Sequence, residues 1–109
     1  MKENFYTHAF WHIKEEKTAD FIAAWERFGK ALSQIPNSPP VKGTLIQSLS
    51  DSLVFYSFGP WETLEDINAM RNNENVKKAL SDIMEHCQEA KPGNYKTVLQ
   101  LAFPSTGKQ

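Results

Sequence analysis

A single cysteine, Cys87, occurs in the 109 residues. That excludes an internal disulfide and any zinc site built from several cysteines. No apolar run approaches the roughly 18 residues that a spanning helix needs. The opening residues, Met1 to His8, are mixed and polar, unlike a secretory signal. Charge of one sign is also lacking: 12 Lys and Arg stand against 13 Asp and Glu, for a net charge of -1. Lys77-Lys78 is the one adjacent basic pair. No basic stripe therefore offers a footprint for a phosphate backbone. The expectation is a cytoplasmic protein that binds neither nucleic acid nor membrane.

What the chain has in quantity is aromatic side chains: 7 Phe, 3 Trp and 3 Tyr, or 12% of the residues. A domain of this length buries only about two-thirds of its unfolded surface. Large aromatic groups help it find enough core, and they also line ligand pockets and subunit interfaces.

Phe5 to Lys14 is dense in aromatic and β-branched residues and holds no Gly or Pro, which predicts a strand. One face carries Phe5, Thr7, Ala9, Trp11 and Ile13; the other carries Tyr6, His8, Phe10, His12 and Lys14. Both faces are largely apolar, so both are expected to be covered. Thr18 to Ile35 changes to helical period through Phe21, Ile22, Trp25, Phe28, Leu32 and Ile35. Thr18 is the expected cap, and Pro36 stops the helix. Gly43–Leu49 and Leu53–Gly59 read as a hairpin joined by Ser50-Asp51-Ser52. Thr63 and Asp66 form a weak capping box opening a helix through Leu64, Ile67, Met70 and Arg71. Asn72-Asn73 is expected to break it, and Val76, Leu80, Ile83, Met84 and Cys87 continue the helical period. Lys91-Pro-Gly-Asn94 reads as a turn and Tyr95 to Phe103 as the last strand.

The order is β-α-β-β-α-β. It predicts an α+β fold of ferredoxin-like type, a four-stranded antiparallel sheet with helices on one face. One domain spans residues 1–104, with a disordered tail at 105–109. The second sheet face is apolar and the monomer has no element left for it. A homodimer through the sheet face is therefore expected.

With this element order, the junction Phe58-Gly-Pro-Trp61-Glu-Thr-Leu-Glu-Asp-Ile-Asn-Ala-Met-Arg71 and the segment Asn94-Tyr-Lys-Thr-Val-Leu-Gln-Leu101 resemble the antibiotic-biosynthesis-monooxygenase-like family of dimeric α-β barrels. The resemblance covers roughly residues 5–103. It implies a cofactor-independent monooxygenase acting on a small aromatic or quinone-like substrate, with no metal or flavin. In that chemistry a bound phenol is deprotonated and its carbanion reacts directly with oxygen. The alternative is a non-catalytic dimeric domain that binds a small molecule or is stress-associated, its aromatics being core and interface. Haem degradation fits poorly, because Thr7 to His12 on the first strand contains no Asn of the kind haem-degrading members use there.

Trp61 matches the family's junction tryptophan, which commonly lines a pocket between sheet and helices. A core tryptophan pinning a helix to the sheet explains it equally well. Trp11, Trp25 and Tyr56 join it as candidate pocket walls, with small residues Ala9, Ser57 and Gly59 beside them. Trp61, Tyr56, Asn68 and Arg71 are the candidate donors to a bound anion. His8 and His12 stand about 13 Å apart on one strand face, too far to share a metal. Adjacent His86 and Cys87 point about 100° apart on a helix, which argues against a nucleophile pair.

Overall fold

The computed structural model describes residues 5–36, 42–102 and 104. Strand β1 (Phe5–Ile13) sets the layers by its alternation. Ala9, Trp11 and Ile13 are buried, whereas Tyr6, His8, Phe10 and His12 are half-buried. Strand β3 (Val54–Trp61) repeats the pattern: Phe55, Ser57, Gly59 and Trp61 turn inward, and Val54, Tyr56 and Phe58 outward. The two pair antiparallel with Trp11 opposite Phe55, so the inward sets meet on one face.

Strand β2 (Thr44–Gln47) pairs with β3, and with β4 (Cys87–Lys96) the sheet order is β2-β3-β1-β4, antiparallel throughout. The β2–β3 turn is held by its own side chains. Ser48 Oγ accepts from the backbone N–H of Ser50 and Asp51, and Asp51 Oδ1 accepts from that of Leu53.

Three helices cover the inner face. Helix α1 (Thr18–Ser33) contributes Phe21, Ala24 and Phe28 to the core. Its N-cap is Lys17, with no side-chain capping bond, so Thr18 opens the helix and does not cap it. The Glu15-Glu16 turn before it holds Glu16 in the left-handed region, at φ 64°. Helix α2 (Leu64–Asn72) starts at Thr63, whose hydroxyl accepts from Asp66 N–H at 3.0 Å. Helix α3 (Glu74–Glu85) follows directly. Asn73 ends α2 and caps α3, its Oδ1 accepting from the N–H groups of Asn75 and Val76. The expected break at Asn72-Asn73 is thus a shared cap, and the second helical unit is two helices. Ile67 and Met70 of α2 and Val76 and Ile83 of α3 complete the core. Each such buried side chain contributes about 1.5–3 kcal/mol over its exposed state. At the surface Arg27 reaches across from α1 to Asp82 of α3, at 2.6 Å from Nη2. As a largely solvated pair it contributes at most about 1 kcal/mol.

The last strand departs from the sequence expectation. Strand β4 is Cys87–Lys96, so the expected turn at 91–94 lies inside it and Cys87 opens it instead of ending a helix. β4 pairs with β1 alone, at an edge of the sheet, where Pro92 is tolerated because only one side of the strand is needed for the ladder. Lys96 lies opposite Phe5, the first described residue of β1. The chain beyond it has no described strand to pair with, and residues 97–102 are irregular despite their β-like sequence. Val98, Leu99 and Leu101 are 88%, 73% and 63% exposed. Phe103 and the expected tail at 105–109 lie outside the described residues.

The α+β ferredoxin-like fold is as expected: an antiparallel four-stranded sheet with helices on one face.

Candidate functional site

The helices do not fill the inner face completely. A cavity of about 80 Å³ lies between α1, α2 and the central strands. The small residues Ala9, Ser57 and Gly59 lie on its sheet-side floor between Trp11 and Trp61. Trp25, Phe28 and Leu32 of α1 and Met70 and Arg71 of α2 make the opposite wall. Exposed Lys42, Gly43 and Thr44 stand at its mouth. Gly59 is required there: a Cβ would collide with the carbonyl oxygen of Lys42. The lining is mostly apolar, the usual character of a small-molecule site.

All three tryptophans border this space, in different hydrogen-bonding states. Trp11 Nε1 donates to Ser57 Oγ at 2.9 Å, a bond buried in the core. Trp61 Nε1 donates to Thr7 Oγ1 at 3.1 Å. Trp25 Nε1 is buried and meets no acceptor. Its ring stands edge-on to Trp11 at 5.8 Å and to Phe28 at 5.0 Å.

Arg71 reaches the cavity from the last turn of α2. Its Nη2 donates to Asn94 Oδ1 of β4 at 2.7 Å, and its buried Nε has no acceptor. Partial desolvation lowers its pKa from the ordinary value. Among the described residues no carboxylate pairs with it.

Of the six candidates named from sequence, Trp11, Trp25, Trp61 and Arg71 converge on this cavity. Tyr56 and Asn68 do not. Tyr56 is on the outer sheet face, 5.7 Å from the His8 ring and 5.5 Å from Phe10. Asn68 is exposed on α2, away from the lining. Sequence reasoning passed over Thr7, Lys42 and Asn94. Thr7 was accessible, since its alternation with Ala9 and Trp11 puts it on the inner face. Lys42 and Asn94 arrive by tertiary approach and carry no local signal.

The remaining reactive groups lie elsewhere. Cys87 Sγ donates to Ile83 O at 3.4 Å, and burial pushes its thiol up to about 11 despite the opposing charge of Lys14. A thiol held in its protonated form is a poor nucleophile. At pH 8 Cys87 is expected to react with iodoacetamide about a hundredfold more slowly than a free cysteine, followed by intact mass. The folded state keeps the proton, so stability is unaffected below about pH 9 and falls as pH rises from there toward 11. Among the described residues no group of three or more His, Cys, Asp or Glu is placed to hold a metal, and no helix is long and apolar enough to cross a membrane.

Fold and cavity together define a ferredoxin-like α+β domain with an apolar pocket between sheet and helices. That is the fold of the antibiotic-biosynthesis-monooxygenase-like structures. A point variant of SnoaB, a cofactor-independent oxygenase from Streptomyces nogalater, superposes with a TM-score of 0.75 at 11% identity, over 93% of this chain and 98% of that one. A Nitrosomonas europaea protein, provisionally named an antibiotic biosynthesis monooxygenase, gives a TM-score of 0.72 at 18% identity, covering 90% and 93%. A Caulobacter crescentus protein with the same provisional name gives 0.73 at 12% identity, covering 92% of each. No protein-family profile and no curated protein sequence matches the chain.

Proposed function

We propose that this protein is a cofactor-independent monooxygenase acting on a small aromatic or quinone-like substrate, working as a homodimer. The observation that carries the reading is the apolar, aromatic-walled cavity with buried N–H donors, in a fold that also serves a cofactor-independent oxygenase. A dry pocket strengthens the hydrogen bonds that stabilise a substrate anion, and the anion then reacts with oxygen directly.

Trp61 carries less of the donor role than its junction position suggests, because its N–H is committed to Thr7. Size bounds the substrate. The 80 Å³ available here is about half of the ~150 Å³ that hold a benzene ring in an engineered cavity. A ring therefore places its reactive end inside and the rest at the mouth beside Lys42 and Gly43, or displaces Trp25 or Leu32.

The second reading, a non-catalytic small-molecule-binding or stress-associated domain, is favoured by that same tightness. Oxygen-electrode assays with a panel of hydroquinones separate the two. Uptake above the uncatalysed rate that falls at least about tenfold in Trp25→Phe supports the enzyme. No uptake across the panel leaves the binding domain.

The homodimer rests on the outer sheet face. Tyr6, His8, Phe58 and Tyr95 line a shallow depression there, and Phe58 and Tyr95 are 37% and 55% exposed. An exposed aromatic patch across a whole sheet face marks a contact surface. A second copy presenting the same face is self-complementary about a two-fold axis.

A further inference from the structure

Every tryptophan N–H at the cavity has a hydroxyl acceptor except that of Trp25, and the buried Nε–H of Arg71 is likewise without one. Both groups are donors with no accepting capacity. Buried polar groups without a partner are uncommon and costly, and two on side chains that line one cavity call for a common cause. The other polar side chains at the floor conform. Ser57 and Thr7 each already accept from an indole, which leaves their own protons to donate. Charge points the same way. Arg71 and Lys42 are cations, and no Asp or Glu is among the described lining residues. The Arg71 partner, Asn94, is a neutral amide and leaves that charge uncompensated.

Among the described residues the cavity also lacks a base. The lining includes His8, but its ring packs on the outer sheet face, 5.7 Å from Tyr56 and 5.6 Å from Tyr95.

From these observations we infer that the cavity recognises its ligand as a preformed oxyanion of phenolate or enolate type, received by Trp25 Nε1–H and Arg71 Nε–H, and that no described lining residue supplies a carboxylate or imidazole base to ionise it. A single oxygen fits better than a carboxylate. Asn94 holds one arm of the guanidinium, so Arg71 does not offer its full two-pronged fork to the cavity. The inference rests on the cavity being the substrate site and names the ionisation state that the site selects.

The test is an anaerobic titration of 4-nitrophenol, whose phenolate is coloured and whose phenol is not, with and without excess protein. Without oxygen there is no turnover, so the result stands apart from the oxygen-uptake assay. The protein is expected to favour the phenolate by about tenfold or more, moving the absorbance midpoint down by at least about one pH unit. Arg71→Met is expected to abolish the shift and Trp25→Phe, which keeps the aromatic packing, to reduce it. Arg27→Gln removes the same charge at the α1–α3 surface and is expected to leave it unchanged. Circular dichroism verifies that each variant is folded; if Arg71→Met does not fold, Trp25→Phe and Arg27→Gln decide. Benzoate at equal concentration is expected not to displace the dye. The inference is overturned if the probe does not bind, if it binds with an unshifted midpoint, if the shift is undiminished in a folded cavity variant, or if benzoate displaces it.

Discussion

Phe21→Ala is expected to lower the unfolding free energy by about 3–5 kcal/mol, the upper range for a single truncation in a packed core. Phe21 is fully buried and stands at the centre of the aromatic layer, 4.9 Å from the Phe55 ring and 6.0 Å from Trp11. Its removal forfeits both ring contacts as well as the transferred apolar surface, and helix and sheet close the gap only in part. Domains of this size have about 5–15 kcal/mol of total stability, so a large fraction would disappear. Urea unfolding at fixed protein concentration measures it, because association shifts the midpoint by mass action. Phe10→Ala, on the outer face, is the contrast: a dimer dissociated by dilution is expected to lose under about 1 kcal/mol. Equal losses at the two positions would contradict the assignment of inner and outer faces.

The second large effect concerns assembly. Sedimentation of the wild-type chain at micromolar concentration is expected to give a dimer. The double substitution Phe58→Glu and Tyr95→Glu is expected to give a monomer with unchanged circular dichroism. Central aromatic residues at interfaces commonly cost about 2 kcal/mol or more when truncated, and both copies lose two, so association weakens by about a thousandfold at the least. The added carboxylates oppose one another across a two-fold axis, which strengthens the effect. Both positions are exposed on the outer face and neither contributes to the core cluster, so folding of the monomer is not at stake. A monomeric wild-type chain at that concentration would overturn the proposed dimer.

Most of the fold was legible because its inner strands and helices carry strong periodic signals. The two-residue alternation groups Thr7, Ala9, Trp11 and Ile13 on one face, and burial of Ala9, Trp11 and Ile13 shows that face to be the inner one, which two apolar faces left open in the sequence. The Asn72-Asn73 pair reads in sequence as an interruption, whereas in the structure Asn73 ends one helix and starts the next. β4 was illegible for a physical reason. An edge strand bonds on one side only, so it accepts Pro92, Gly93 and charged residues that read locally as a turn. The stronger β pattern after it, in Thr97 to Ala102, finds no described strand to pair with once Lys96 has reached the start of β1. Local preference was overruled by register.

The candidate site was legible in part. Four of six candidates reached the cavity because three are large residues on the inner faces of β1, α1 and β3, and the fourth ends the helix over them. Tyr56 went to the other face by the same alternation that the sequence displays. The distinction between Trp61 and Trp25 was not visible, since it depends on which hydroxyl meets which indole across the sheet.

The placement of the indoles has an optical consequence. The chain has 3 tryptophans, and all of them border one cavity. There is no indole elsewhere to contribute background emission. Any molecule that enters changes the polarity around every fluorophore of this type at once, and a quinone or nitroaromatic quenches all of them by contact. The protein therefore carries its own reporter of occupancy, and unlabelled compound libraries can be screened against it by emission alone.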